Sequence, residues 1–537
     1  MKRIFLMIFI LVFSIPVFSQ SLAQVKKLIY YERYNSASDI LHKLLRNDPG
    51  NQEAWYLLSL TYLEQNRVEA IKDTLQKAPQ GILDNGLLRA VYGHILLREN
   101  DMATANEYFG MALKETKEKD PAVLKEVARA YIDTRAADAN RAVELLKKAI
   151  KRDKKNPELY VLLGNAYRKL NNGSDAYSSY NKALEIDPHY ARASYRLGKI
   201  FTSQKDTIYL RYFTRALKAD SLYAPALYEM YYHYYFTDVA KALKYLNKYI
   251  AASDYDREND YRLTDMLYLN KQYDAAIRKG LELVEEEKDS VSPRIYKLVA
   301  TCYKRSGDFE NARDYMEKYF TRNTDTTYLL ADYRAMGEIY DSLGHYTDSA
   351  AHYYELTAKL TKKDADRRTL YKKIALMYEQ DKNYGEQALW LQKYYADNPG
   401  ATNLDLFNCG IAYYYAEEYG LADSVFSVYT EKYPDQKYGY YWRAKSNAAI
   451  DTAMEQGLAI PHYLKAIEIA EKDTAGDANQ KILVESYGYI ASFKANHDKD
   501  YDSSIEYFEK ILRLQPDNED AKKYIAVLQK YISDGSN

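Results

Sequence analysis

Along residues 157–188 the apolar and small side chains fall at Tyr160, Leu163, Gly164 and Tyr167, and again at Ala176, Tyr180 and Ala183. Steps of three, four and seven put each set on one stripe of an α-helix, so the segment predicts two helices with facing apolar stripes. Gly164 and Ala176 are small where the stripes cross, which lets the backbones approach, and the larger neighbours fill the remaining volume. Two helices this short cannot bury both of their faces alone. Stacked copies must do it.

The pattern recurs. Tyr296, Val299, Ala300, Tyr303, Ala312, Met316 and Tyr319 repeat it, as do Tyr333, Met336, Gly337, Tyr340 and Tyr353. Tyr371, Ile374, Ala375, Tyr378 and Leu391 follow, then Leu406, Cys409, Gly410, Tyr413, Ala422 and Phe426. Less regular copies surround Trp55, Leu58 and Tyr62, Gly93 with Phe109, and Tyr487 with Phe508 and Ile511. The expectation is an all-α array of about 14 helix pairs from residue 24 to 516, closed by a solvated helix over Asn518–Ile532. Prolines agree, because beyond the first residues all but Pro461 fall at borders between pairs, where a missing amide donor is harmless. Longer loops at 451–460, 472–480 and 496–500 are expected to be the flexible ones.

Residues 157–188 resemble the tetratricopeptide (TPR) consensus at every signature position, and the resemblance extends through the array. It implies a right-handed superhelical α-solenoid whose concave groove is lined by positions 2, 5, 9, 12 and 13 of each first helix and holds a partner segment. Carried onto this chain, the groove presents Lys125, Arg129, Asn165, Arg168, Lys169, Arg192, Tyr195 and Lys199, then Arg294, Lys297, Lys304 and Arg305. These basic residues suit an acidic segment or a chain-terminal carboxylate, and equally a plain solvated helix face. The carboxylate clamp of chaperone-binding TPRs is absent, since Val161 stands where its lysine would. Toward the C-terminus the inner positions turn apolar: Leu404, Phe407, Ile411, Tyr414, Tyr415, Trp442, Ile450, Ile482, Tyr489 and Phe493. That strip is either an interface or covered by curvature and loops.

The run Tyr228–Phe236 is dense in tyrosine, in a chain with 59 of them. With Pro225 at position 1, Tyr232 takes the small-residue position, which predicts a locally distorted pair with Glu229, His233 and Phe236 toward the groove.

Composition removes several function classes. Seventy-five basic against 76 acidic residues leave no field that would draw the chain to nucleic acid. A basic start followed by an apolar run and small residues near Ser19 reads as a signal peptide over 1–19, with an uncleaved anchor helix as the alternative. The domain expectation is therefore signal peptide 1–19, solenoid 20–516, and capping helix with tail 517–537. No phosphate-binding loop, H-E-x-x-H, C-x-x-C or G-x-S-x-G occurs, and the histidines lack ligand spacing; no cofactor or metal is expected. Cys302 and Cys409 lie three units apart, too far for a disulfide.

The functional expectation is a non-enzymatic protein-binding scaffold, exported to the periplasm or the periplasmic face of the outer membrane. Exported bacterial TPR proteins of this look resemble adaptors in envelope assembly or secretion, so the expected partner is a protein. Neither nucleic acid nor direct membrane insertion after signal cleavage is expected. The alternative is a carbohydrate-binding accessory using groove aromatics, which the tyrosines disfavour by lying mostly at core positions.

Overall fold

The computed structural model describes residues 21–135, 138–202, 207–323, 328–472 and 477–535; the expected signal peptide lies outside them. Among these residues there are helices and no strands, and no helix is long and apolar enough to cross a membrane. The chain is an all-α solenoid of antiparallel helix pairs, in two compact units that divide between Val291 and Ser292. The first holds eight pairs, from a helix over 21–30 with Tyr34–Asn47 to Arg257–Leu269 with Tyr273–Glu287. The second holds six, from Pro293–Ser306 with Phe309–Arg322 to Asp477–Phe493 with Tyr501–Leu514, followed by the helix Glu519–Ser533.

The pair Pro157–Lys169 and Gly173–Ile186 shows how sequence makes the unit. Asn156 accepts from the Glu158 amide and Pro157 occupies the first turn, where its missing N–H costs nothing. Asn171, at φ 57°, makes the turn, and the Asn172 side chain caps the second helix. Between the helices the fully buried Tyr180 ring packs against Gly164, where an added Cβ would sit 2.4 Å from the ring. The same glycine-under-ring contact recurs as Gly93 with Phe109, Gly198 with Phe213, Gly337 with Tyr354 and Gly410 with Phe426.

The Tyr228–Phe236 expectation is corrected. The helices Ala224–Tyr235 and Val239–Ala252 are continuous and pair as the others do. The amides of Tyr223 and Ala226 bond Asp220 and Tyr223 carbonyls, as those of Tyr190 and Ala193 bond Asp187 and Tyr190 in the preceding repeat. Ala224 is therefore position 1, and the frame moves by one residue. Tyr231, not Tyr232, takes the place of Gly198, and Leu246 takes the place of Phe213. The ring has moved to the first helix and a leucine stands opposite it: Tyr231, Ala242 and Leu246 share one buried cluster. The volume stays filled without distortion. The first helix is one residue shorter than Pro157–Lys169, and the three-residue turn 236–238 contains no left-handed residue. Tyr232 and Phe236 are left 58% and 75% exposed.

The loop at 451–459 is tied by hydrogen bonds to its own first residue. The buried Asp451 carboxylate accepts from the amides of Glu455, Gln456, Gly457 and Leu458. Burial raises its pKa, yet these donors outweigh burial and hold it below the usual carboxylate range. Pro461 sits in the first turn of the helix Ile460–Lys472, where it is tolerated.

Candidate functional site

Each unit has an inner face formed by its first helices. In the first unit that face surrounds a cavity of about 690 Å³ whose lining includes Tyr34, Tyr56, Lys125, Arg129, Glu158 and Arg192. Most cations predicted there already have partners inside the protein. Lys125 Nζ and Arg129 Nη2 bond Glu158 at 3.0 and 2.8 Å, and Arg129 also lies 3.7 Å from the fully buried Glu126. Glu126 accepts in addition from the Tyr56 hydroxyl at 3.1 Å and lies 3.0 Å from His94 Nδ1. Burial pushes the Glu158 carboxyl up, but Lys125, Arg129 and Arg192 together overcome it and hold it at about 2. Burial raises Glu126 likewise, and Arg129 and His94 bring it below the usual range.

The rest of this group is scattered over packing roles. Asn165 Oδ1 accepts from Tyr180 at 2.8 Å, and Lys169 donates to the Tyr131 and Thr134 carbonyls at the end of the helix Pro121–Asp133. Tyr195 packs on Phe213 and Tyr223, and Lys199 pairs with Glu229 at 2.7 Å. Arg168 is exposed. Arg192 has its guanidinium 5.1 Å from the Tyr30 ring centre and donates to the Tyr30 carbonyl at 3.4 Å.

In the second unit Lys297 meets the buried Asp332 at 2.5 Å and Lys304 pairs with Glu338, while Arg294 and Arg305 are exposed. The apolar strip divides into two classes. Phe407 packs on Phe426 and Tyr429, each at 5.7 Å, and Trp442 packs edge-on to Tyr414 at 5.0 Å and stacks over Phe426. Ile482 is buried, Tyr489 lies on Tyr463, and Phe493 stacks on His497. These residues are consumed in packing. Leu404, Tyr415 and Ile450 are 60%, 55% and 48% exposed. They are joined by Leu376, 53% exposed, which the sequence reading passed over although Tyr371 at position 4 puts it at groove position 9.

Leu376, Ile411 and Tyr415 line a groove of about 720 Å³ with Lys372, Glu379 and Tyr384. It lies between the helices Asp364–Gln380 and Asn403–Tyr415, and Leu404, Ile411 and Tyr415 share one face of the second at steps of seven and four. The Tyr384 ring braces Tyr415 at 5.5 Å, and Lys372 is matched by Asp405 at 2.8 Å. Such a surface can take an apolar side chain and offers the exposed Glu379 carboxylate to a cation beside it.

Among the described residues no three His, Cys, Asp or Glu side chains come together as metal ligands. Cys302 and Cys409 are free and buried, and burial pushes both thiols up to about 12, so they are held protonated and unreactive at neutral pH.

Three family models match: a TPR repeat model at 164–205, a tetratricopeptide repeat model at 22–81, and another tetratricopeptide repeat model at 293–326 and 496–518. The span 293–326 begins on the first residue of a first helix and takes in the whole pair that follows from it. No curated protein matches the chain. Among solved structures, the C-terminal part of a TPR repeat-containing protein from Cytophaga hutchinsonii is 30% identical, covering 49% of this chain and 99% of that one, with a TM-score of 0.29. YrrB, described as a TPR protein with an unusual peptide-binding site, is 21% identical over 34% of this chain and 95% of its own, with a TM-score of 0.30. The Cut9–Hcn1 hetero-tetramer of APC/C is similar at 15% identity, 94% and 95% coverage, and a TM-score of 0.25. Matched by these models and built throughout from the helix pairs they describe, the chain belongs to the tetratricopeptide-repeat family.

Proposed function

We propose that this protein is a non-enzymatic scaffold that captures a segment of a partner protein on the inner face of its second unit. The observation that carries the reading is a preformed groove of about 720 Å³ lined by the exposed Leu376 and Tyr415, with the exposed Leu404 on the same helix face as Tyr415. Apolar exposure of that kind, bordered by charge, is what a binding surface needs and what a solvated helix face avoids. The basic residues contribute less to this reading, because Lys297 and Lys304 are spent on Asp332 and Glu338. The test is affinity capture with the full chain. Leu376→Asp with Tyr415→Asp is expected to lose the partner, while charge reversal at Arg294, Lys297, Lys304 and Arg305 keeps it; the opposite pattern would return the site to the basic patch.

The setting we propose is the periplasm or the periplasmic face of the outer membrane, in envelope assembly or secretion. Support comes from residues 1–19, whose basic start, apolar run and small residues have the makeup of a signal peptide. N-terminal sequencing of the protein from its native cell should begin at or next to Gln20. A chain that still starts at Met1 would overturn the export reading.

A further inference from the structure

In a repeat array each pair touches its neighbours, and nothing in the stacking requires the first pair to touch the sixth or seventh. Here it does, within the first unit. The Tyr30 ring sits among Tyr190 at 6.0 Å, Tyr223 at 5.4 Å and the Arg192 guanidinium at 5.1 Å. Four residues on, the helix Tyr34–Asn47 starts without a side-chain cap of its own, because Arg33 stands at that position. Asp254, from the end of the seventh pair, supplies it. Its carboxylate accepts from the Asn35 amide at 2.7 Å, the Ser36 amide at 3.3 Å, the Ser36 hydroxyl at 2.5 Å and Arg33 Nε at 3.5 Å. Donors that every helix must satisfy near its N-terminus are thus met from about 220 residues away along the chain, by a carboxylate placed at the positive end of the helix.

Two chemically distinct sockets are therefore filled together: an aromatic and cationic slot for one ring, and a carboxylate for an open helix N-terminus. We propose that Tyr190, Arg192, Tyr223 and Asp254 form a recognition surface for an aromatic residue followed by an uncapped helix start, filled in cis by residues 30–36 and able to accept the same segment from a second copy of this chain. The second copy is the occupant because its segment carries the chemistry already seen to fit. The first pair stacks on the second through Val25, Ala37 and Leu41, whereas Tyr30 and Tyr31 pack on Ala191, Tyr223 and Ala226, so the strap can open locally. In cis the strap benefits from its tether, which is why an added segment competes poorly until the strap is weakened. This surface is separate from the groove of the second unit, and its failure leaves that reading untouched.

The test uses the full chain and a fluorescein-labelled peptide of residues 24–47, read by fluorescence polarisation. Tyr30→Ala weakens the strap without touching the socket and is expected to bind the peptide roughly tenfold or more tighter than the wild type. Adding Asp254→Ala to that variant should remove the gain. Arg33→Ala, which leaves Tyr30 packed, should show the same direction with a smaller gain, and it replaces Tyr30→Ala should circular dichroism show that variant misfolded. A folded strap variant that binds the peptide no tighter than the wild type overturns the proposal, as does binding that survives loss of Asp254.

Discussion

Single residues decide how closely the helices of a pair approach. At Gly164 a methyl group would meet the Tyr180 ring at 2.4 Å, and that ring is fully buried with its hydroxyl committed to Asn165. Gly164→Ala should therefore destabilise by about 1–3 kcal/mol, the usual cost of overpacking, despite the better helix propensity of alanine. Thermal or urea unfolding reads it. Gly173, where an added Cβ meets nothing within 4 Å, is the control and should be stabilised or unchanged on the same substitution. Glu158 makes a second prediction at this scale. Its carboxyl is held at about 2 in the folded protein against an ordinary value of 4.5. Its ion pairs with Lys125 and Arg129 thus contribute fully above about pH 4.5 and are lost as pH falls toward 2. Glu158→Gln should lower the urea midpoint at pH 7, and the two proteins should converge between those limits.

At the scale of the element, the question is whether the ring between the helices of a pair can come from either helix. The pair Ala224–Tyr235 with Val239–Ala252 answers by carrying Tyr231 and Leu246 where its predecessor carries Gly198 and Phe213. Leu246→Phe alone should crowd Tyr231 and destabilise. Tyr231→Gly alone should leave a void and cost about 3–5 kcal/mol, in the range of large aromatic truncations. The double variant should recover part of that loss, with a coupling of about 0.5–3 kcal/mol in a denaturation cycle. Additive losses would show that the two side chains do not share the space. The moved ring also explains why a frame counted from the consensus falls one residue late here. A consensus that expects a small side chain on the first helix finds none to anchor it in Tyr228–Phe236, where almost every position is a ring. Elsewhere the helices follow from their stripes and caps, because glycine, ring and Asn or Asp caps at fixed spacing are local signals.

At the scale of the molecule, the sequence reaches the fold and only part of the surface. Periodicity places Leu404 and Tyr415 at inner positions, and the structure then shows both exposed. It cannot tell that Lys125, Arg129 and Lys304 are matched by Glu158 and Glu338, because each carboxylate comes from the following repeat. Nor can it tell that Phe407 and Trp442 are consumed against Phe426. Pairings between repeats are a tertiary property, and the closure of the first unit through Asp254, across more than 200 residues, is the extreme case.

The central claim is that the inner face of the second unit holds a partner protein. Photocrosslinking with benzoylphenylalanine placed singly at Leu376, at Tyr415 and at the exposed Leu464 of a second helix, in the native cell, tests it most directly. The account predicts one predominant protein adduct shared by the Leu376 and Tyr415 positions and absent from Leu464. No adduct at the two groove positions, or the same adduct from all three, would contradict it.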